Sequence, residues 1–429
     1  MKKVGGIFRL SEHNTTIKQE VMAGAIGYFT IVYIIAVNAM ILSEAGIPFE
    51  GAVMATILAT FVGSLLMAFW ANAPILLVPG MGINAMFTYT IVQSMGFTWP
   101  EALAVVFISG ILFMVIAFTK LSKILSESIP KTLKEAITVG LGMFLLLIGL
   151  EKGGLVERGS NAIIALGDIS DIKVIATIIT FLITIFLFMR NVKGQFLWSI
   201  IFGTLLGLLL GIDPKDTGTS FNLSDYAAVF AGVSFDKLLY LPFWIAAFSV
   251  TMVLVFENIG LIHGHLDMVG QPQKYSKSFQ ANAVSATVSG IFGTSPTVST
   301  VESAACMTAG GRTGLTSLTT GILFLASIWF IPYLKWIPDH AIAPILMIIG
   351  GLMIQNVKNM DLRDLSEAFP AIFIIAMIPF TYSIADGIAI GFILYPILKI
   401  ASGKAKDVTT PLYIIAFLFL INFVVHSIH

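Results

Sequence analysis

Residues 74–94 read PILLVPGMGINAMFTYTIVQS and residues 294–310 read TSPTVSTVESAACMTAG. Both stretches are apolar enough to enter a bilayer, and both make poor helices. The first holds Pro74, Pro79, Gly80, Gly82 and Asn84; the second holds Thr294, Ser295, Pro296, Thr297, Ser299, Thr300 and Glu302. Proline removes a backbone donor and breaks a helix, and glycine adds conformational freedom. Interrupted backbone is tolerated at membrane depth only where it is buried or lines a cavity. A pair of interrupted segments at matching positions of two halves is the best sequence pointer to a transporter's solute site.

The rest of the chain supplies those halves. Of its 429 residues 57% are hydrophobic and 11% charged, against about 25% charged in soluble chains. Mean hydropathy is +0.93. Apolar runs long enough for a bilayer core of roughly 30 Å occur at 21–42, 51–71, 74–94, 101–119, 132–150, 172–190 and 195–212. After a polar stretch they resume at 240–264, 277–293, 294–310, 314–334, 340–357, 368–382, 384–401 and 409–427. Backbone satisfaction in lipid favours helices for such runs. The expected organisation is an N-terminal cytoplasmic segment 1–20, a first seven-span repeat 21–212, an extracellular linker 213–239, a second repeat 240–401 and a C-terminal hydrophobic segment 402–429. The interrupted runs are third in each half. Seven is odd, so the second repeat enters from the opposite side and the repeats are inverted.

Charge sidedness supports that threading. With the N-terminus in the cytoplasm, only Lys152, Arg158, Lys173, Lys215, Lys237 and Lys335 of the 24 basic residues fall outside, as the positive-inside rule requires. If 409–427 crosses, the C-terminus lies outside. Formal net charge is zero, which implies no attraction to nucleic acid. The single cysteine, Cys306, excludes an intrachain disulfide and a multi-thiolate zinc site. No cleavable signal peptide is expected, because Met1–Glu20 is polar.

Two acidic residues stand out inside spans: Glu257, in the eighth, and Glu302, in the broken tenth. An ionisable group at the bilayer centre costs at least roughly 2.5 kcal/mol, so it marks a functional site by default. The alternative is a helix-end carboxylate or half of a structural pair. No intramembrane Lys or Arg is placed to neutralise them. An ionised carboxylate accepts two adjacent N–H groups in a planar fork, and a buried one gains proton affinity. Together they suit a proton-coupled carrier of a neutral planar solute. Asn84 and Thr300 either bond that solute or mend the broken backbone. Phe29, Phe87, Tyr28 and Tyr33 are candidates to stack on a ring, although most such aromatics face lipid or packing. His263-Gly264-His265-Leu266-Asp267 puts its imidazoles on different helix faces and is better read as a solvated helix end than as a metal site. Gly310-Gly311-Arg312-Thr313-Gly314 follows no strand, so a nucleotide loop is not expected. Asp361–Glu367 reads as an interfacial linker helix.

At these segments the chain resembles the guanine/hypoxanthine, AzgA-like branch of the nucleobase–ascorbate permease superfamily. The stretches that carry the resemblance are Ala23–Asn38, Pro79–Tyr89, Gly293–Leu315 and Pro379–Ile388. The resemblance implies an all-α polytopic fold of fourteen spans as two inverted seven-span repeats. Spans 1–4 and 8–11 would form a core and the others a gate. Spans 3 and 10 would each join a short extended piece to a half-helix, with a purine base held between them and imported with protons. The family's acidic ligand in span 10 falls on Glu302, and the extended piece of span 3 on Ala85, Met86 and Phe87. One departure concerns span 8. Family members of this branch read F-D-T-x-G-T with a further Asp three residues earlier; here Phe256-Glu257-Asn258-Ile259-Gly260-Leu261 stands, with Leu254 at the earlier position. That form is closer to the uracil and xanthine branch.

The expected function is therefore secondary active import of a purine base, most simply guanine or hypoxanthine, with partners limited to the base, protons and the bilayer. Substrate contacts are expected from Glu257, Glu302, Asn84, Met86, Phe87, Thr300 and Phe29, and proton coupling from Glu257 and Glu302. No metal or cofactor is expected, and a homodimer stays open. Uracil, xanthine, adenine or an anion are the alternative solutes. A channel lacks its continuous polar stripe, and an embedded enzyme would rest on the HGHLD stretch alone.

Overall fold

The computed structural model describes residues 6–157, 159, 162, 164–212 and 223–428. Lys2, Lys3, Arg158, Lys215 and linker residues 213–222 lie outside that set. Among the described residues nine helices are long and apolar enough to cross a membrane: Ile17–Ser43, Phe49–Ala71, Trp99–Phe118, Lys131–Lys152, Ile172–Met189, Leu241–Met268, Gly314–Leu334, Asp339–Asn359 and Ile384–Ala401. Gln195–Leu209, Leu365–Thr381 and Thr410–Ile421 are shorter apolar helices. Tyr275–Phe292 is helical too, with small polar residues Ser278, Asn282, Ser285 and Ser289 buried along it.

Local chemistry sets several boundaries. Thr98 and Glu101 form a capping box at the start of Trp99–Phe118, which satisfies two of the free N–H groups there. Asp364 accepts from Ser366 N at 3.0 Å and caps Leu365–Thr381. The stretch Asp361–Glu367 is thus no separate linker helix: Asp361–Arg363 are non-helical, and Asp364 caps the long helix that Leu365–Glu367 begin.

The two proline-interrupted stretches pair with each other. Leu77–Pro79 and Thr297–Ser299 form an antiparallel ladder, with Leu77 opposite Ser299, Val78 opposite Val298 and Pro79 opposite Thr297. A two-stranded ladder leaves two outer edges, which lipid cannot solvate. Side chains close them. Asn258 Oδ1 accepts from Ser299 N at 2.9 Å, Ser289 Oγ accepts from Thr297 N at 3.2 Å, and Ser303 Oγ accepts from Leu76 N at 3.1 Å. Ser285 Oγ also bonds Thr297 Oγ1 at 2.6 Å. Ser285 and Ser289 of Tyr275–Phe292 face the ladder for this reason.

The extended piece is therefore Leu77–Pro79, not Ala85–Phe87. Pro79 ends the strand, Gly80 caps the next helix with φ −76° and ψ 130°, and Met81–Ala85 is helical. Met86 and Phe87 continue it as a wider-turned helix, Met86–Ser94. Ala and Met favour helix once the chain is past the proline.

Packing sorts the helices into two groups. Lys131–Lys152 packs on Asp339–Ile354 and on Leu365–Thr381, which packs on Ile384–Ala401. Against the strand pair lie Ile34–Ser43, Phe49–Leu66, Leu241–Met268 and Tyr275–Phe292, with Ile17–Ile31 and Gly314–Ala326 packed behind them. Close approach depends on missing side chains. A Cβ on Gly142 would stand 2.7 Å from Gly350 O, and one on Gly110 would stand 2.4 Å from Thr287 Cα. Small residues of this kind let backbones meet where lipid provides no hydrophobic drive.

Candidate functional site

A cavity of about 500 Å³ opens beside the strand pair. Val78–Gly82 and Thr300–Glu302 line it from the two broken segments. Tyr33 and Ile34 line it from the first helix, Phe256, Glu257 and Gly260 from Leu241–Met268, and Lys131, Lys134, Glu135 and Thr138 from Lys131–Lys152. The volume falls in the usual range for small-molecule sites.

Both intramembrane carboxylates face this one space. Glu302 occupies the N-cap position of the half-helix Ser303–Thr308, and Tyr33 Oη donates to its Oε1 at 2.7 Å. That phenol fixes one oxygen. The half-helix has only six residues, so its dipole adds little. Glu257 is positioned by its neighbour. Asn258, fully buried, donates from Nδ2 to Leu254 O at 2.7 Å and accepts from the strand through Oδ1. With Asn258 clamped on the ladder, Glu257 is rotated about 100° away and into the cavity. Among the described residues Glu257 Oε2 is buried without a hydrogen-bond partner, and so is Thr300 Oγ1. Unpaired buried polar atoms are costly and call for an explanation. Here two of them line one opening with a second carboxylate. Gly260, one turn on from Glu257, has nothing within 4 Å of where a Cβ would stand.

The other expected contacts lie elsewhere. Asn84 is fully buried; its Oδ1 accepts from Ser295 Oγ across the two broken segments. It ties the two segments together and does not line the cavity. Met86 and Phe87 are buried at 0% and 1% exposure, inside packing. Phe29 is 51% exposed and meets Tyr28 edge-on at 5.3 Å, away from the cavity. His265 is not solvated: it is buried, and its Nδ1 lies 3.2 Å from Ser299 Oγ. His263 stacks on Tyr275 at 4.2 Å.

Three contributors escaped the sequence reading, and a fourth, Tyr33, was named there in another role. Tyr33 enters as a hydrogen-bond donor to Glu302 rather than as a stacking ring. Phe256 was passed over beside Glu257. Lys131 and Lys134 line the cavity, with Lys134 Nζ 5.9 Å from the Phe256 ring centre, although no basic partner was expected. Only Phe256 carried a local signal, its adjacency to Glu257. The lysines arrive from a helix more than a hundred residues earlier in the chain.

The Xan_ur_permease model, described as a permease family, matches residues 18–422. The nucleobase transporter PlAzg2 of Paenibacillus larvae is 47% identical, over 88% of this chain and 76% of that one. The guanine/hypoxanthine permease PbuO of Bacillus subtilis is 37% identical, over 97% of this chain and 99% of its own length. Among solved structures, the transmembrane domain of the cyanobacterial bicarbonate transporter BicA superposes with a TM-score of 0.67 at 16% identity, covering 86% of this chain and 96% of that one. At that identity the likeness is one of fold.

Proposed function

Since the chain belongs to the Xan_ur_permease family, within the nucleobase–ascorbate superfamily that its motifs resemble, and is a permease rather than an enzyme, we propose that it imports a purine base, guanine or hypoxanthine, with protons. The observation that carries this reading is Glu257 Oε2, buried and unpaired, in the same cavity as Glu302. Guanine presents N1–H beside its 2-amino group in one plane, and a carboxylate accepts such a pair as a fork; hypoxanthine offers single ring N–H groups that a carboxylate accepts one at a time. Phe256 and Tyr33 flank the space where the ring would lie. Glu257 and Glu302 would hold the base edge, and one of them would exchange the coupling proton.

In this reading the chain sits in the cytoplasmic membrane with its N-terminus inside. Its fourteen spans form two inverted repeats, 21–212 and 240–401, joined by the extracellular linker 213–239. The helices around the strand pair act as the core, and the other group acts as the gate. The cavity then opens on the cytoplasmic face, beside Lys131, Lys134 and Asn356. An anion carrier is the weaker reading, since Glu135, Glu257 and Glu302 outnumber the two lysines on the lining.

Competition uptake decides among solutes. Labelled hypoxanthine is taken up by cells while unlabelled guanine, hypoxanthine, adenine, xanthine and uracil compete in turn. Guanine and hypoxanthine are expected to compete best, with accumulation collapsed by a protonophore and indifferent to sodium. Stronger competition by uracil or xanthine, or dependence on sodium, refutes the assignment. Tyr33→Phe supplies a finer test. It keeps the edge-to-face contact with Phe196 at 5.0 Å and removes only the bond to Glu302. A bond to a charged group is worth about 1.5 kcal/mol or more, so the half-saturation concentration for the base should rise about tenfold, with the maximal rate changed far less.

A further inference from the structure

A second cavity, of about 520 Å³, is lined by Glu44, Tyr89, Gln93, Ser94, Ile148, Glu151, Lys152 and Tyr382. It lies at the other end of the elements that line the first. Lys131 and Lys134, at the start of Lys131–Lys152, face the first cavity, whereas Glu151 and Lys152, at its end, face the second. Those ends are about 30 Å apart at 1.5 Å per residue, the thickness of a bilayer core.

Polar contacts tie the walls of this second space to one another. Lys152 Nζ pairs with Glu44 Oε1. Tyr89 Oη donates to Glu44 Oε2 at 2.9 Å, and Gln93 Nε2 donates to Glu44 O at 3.3 Å. Tyr382 Oη donates to Glu151 Oε2. Behind them Tyr89, Tyr382 and Phe144 meet edge-to-face, at centroid distances of 5.0–6.0 Å. Glu44 and Tyr89 belong to elements beside the strand pair; Lys152, Glu151 and Tyr382 belong to the other helix group. The Lys152–Glu44 ion pair and the ring contact of Tyr89 with Tyr382 therefore cross the boundary between the groups. The backbone of Tyr382 adds a separate sign. It ends Leu365–Thr381 at φ +56°, a left-handed conformation that bulky residues rarely take and that persists where surroundings hold it. Glycine is the usual residue at such a helix end; a tyrosine there keeps its ring against Tyr89 and Phe144.

We propose that Glu44, Tyr89, Lys152 and Tyr382 form a latch that closes the solute path opposite the Glu257–Glu302 cavity, and that it must part for the path to open on that face. This rests on the transport reading above. Closure of one face while the other is open is what alternating access demands, and an ion pair bridging two rigid groups is a two-state element.

The test reads accessibility and needs no substrate. Ile148 is 1% exposed beneath the latch, and native Cys306 is fully buried. In purified, detergent-solubilised protein carrying Ile148→Cys, timed labelling with a maleimide should be slow. Adding Lys152→Ala should speed it at least about fivefold, and Glu44→Gln should do so to a lesser degree. The exchanged pair Glu44→Lys with Lys152→Glu should slow it again. Unchanged labelling in Lys152→Ala overturns the latch, as does equal acceleration in the exchanged pair. Lys152→Ala protein bearing only Cys306 should stay unlabelled; labelling there would mark unfolding and reduce the bridge to a structural one. Should purine uptake fail in every variant while this labelling pattern holds, the substrate assignment falls and the latch stands.

Discussion

Cells carrying Glu302→Gln are expected to accumulate no labelled purine, a loss of at least about 100-fold in uptake, or about 2.7 kcal/mol. The substitution keeps side-chain volume, and Tyr33 Oη can still donate to the amide oxygen as it does to Oε1 at 2.7 Å. What changes is the other terminal atom. An amide nitrogen presents donors where the carboxylate accepts, so it meets the N–H edge of a base with like polarity. It also removes the titratable group, so any residual binding should support exchange of base without accumulation. Counterflow in membrane vesicles separates the two losses. Full accumulation by Glu302→Gln would remove that residue from the mechanism.

Glu20→Ala should lower the stability of the folded protein more than any change in the cavity lining. Glu20 is fully buried, although the sequence reading placed it at the end of a polar cytoplasmic segment. Its Oε1 accepts from Arg312 N at 2.9 Å. Its Oε2 accepts from Thr313 N at 3.2 Å, Thr313 Oγ1 at 2.9 Å and Thr316 Oγ1 at 2.6 Å. The carboxylate thus collects the free donors at the start of Gly314–Ala326, where the helix dipole also favours negative charge. Leaving such buried donors without their acceptor costs about 1–3 kcal/mol each, so several kcal/mol for the set. The expected signs are a fall in apparent melting temperature on the order of 5 °C and a large loss of monodisperse protein after heating. Glu20→Gln should be nearly as harmful, because its amide nitrogen would confront donors. A Glu20→Ala protein as heat-resistant as the parent would show that these bonds contribute nothing net.

The glycine-rich run Gly310–Gly314 shows how the two levels of information divide. The sequence argued against a nucleotide loop, because no strand precedes it. It gave no hint that backbone N–H groups of Arg312 and Thr313 are used by a carboxylate nearly three hundred residues away. Asn84 is similar. Its place in a broken segment was legible, with solute contact and backbone repair left open; its bond to Ser295 Oγ, which joins the two broken segments, was not. The extended piece of the first broken segment was misplaced onto Ala85–Phe87, since the resemblance located the motif but not its register. Pro79 and Gly80 were the better local guide.

The amino-acid sequence by itself determined that the chain enters a membrane many times, that two proline-bearing segments interrupt it, and that Glu257 and Glu302 lie in apolar surroundings. Length, hydropathy and backbone chemistry are local properties, and each can be read from a window of about twenty residues. Tertiary structure alone decided that Leu77–Pro79 pairs with Thr297–Ser299, that Tyr33 holds Glu302, and that Lys134 shares their cavity while Phe29 and Phe87 do not. Those outcomes depend on how each helix is turned about its axis and on which strand meets which. In a bilayer, where nearly every face is apolar, hydrophobic pattern leaves that choice open. Hydrogen bonds between distant segments and the fit of small residues make it.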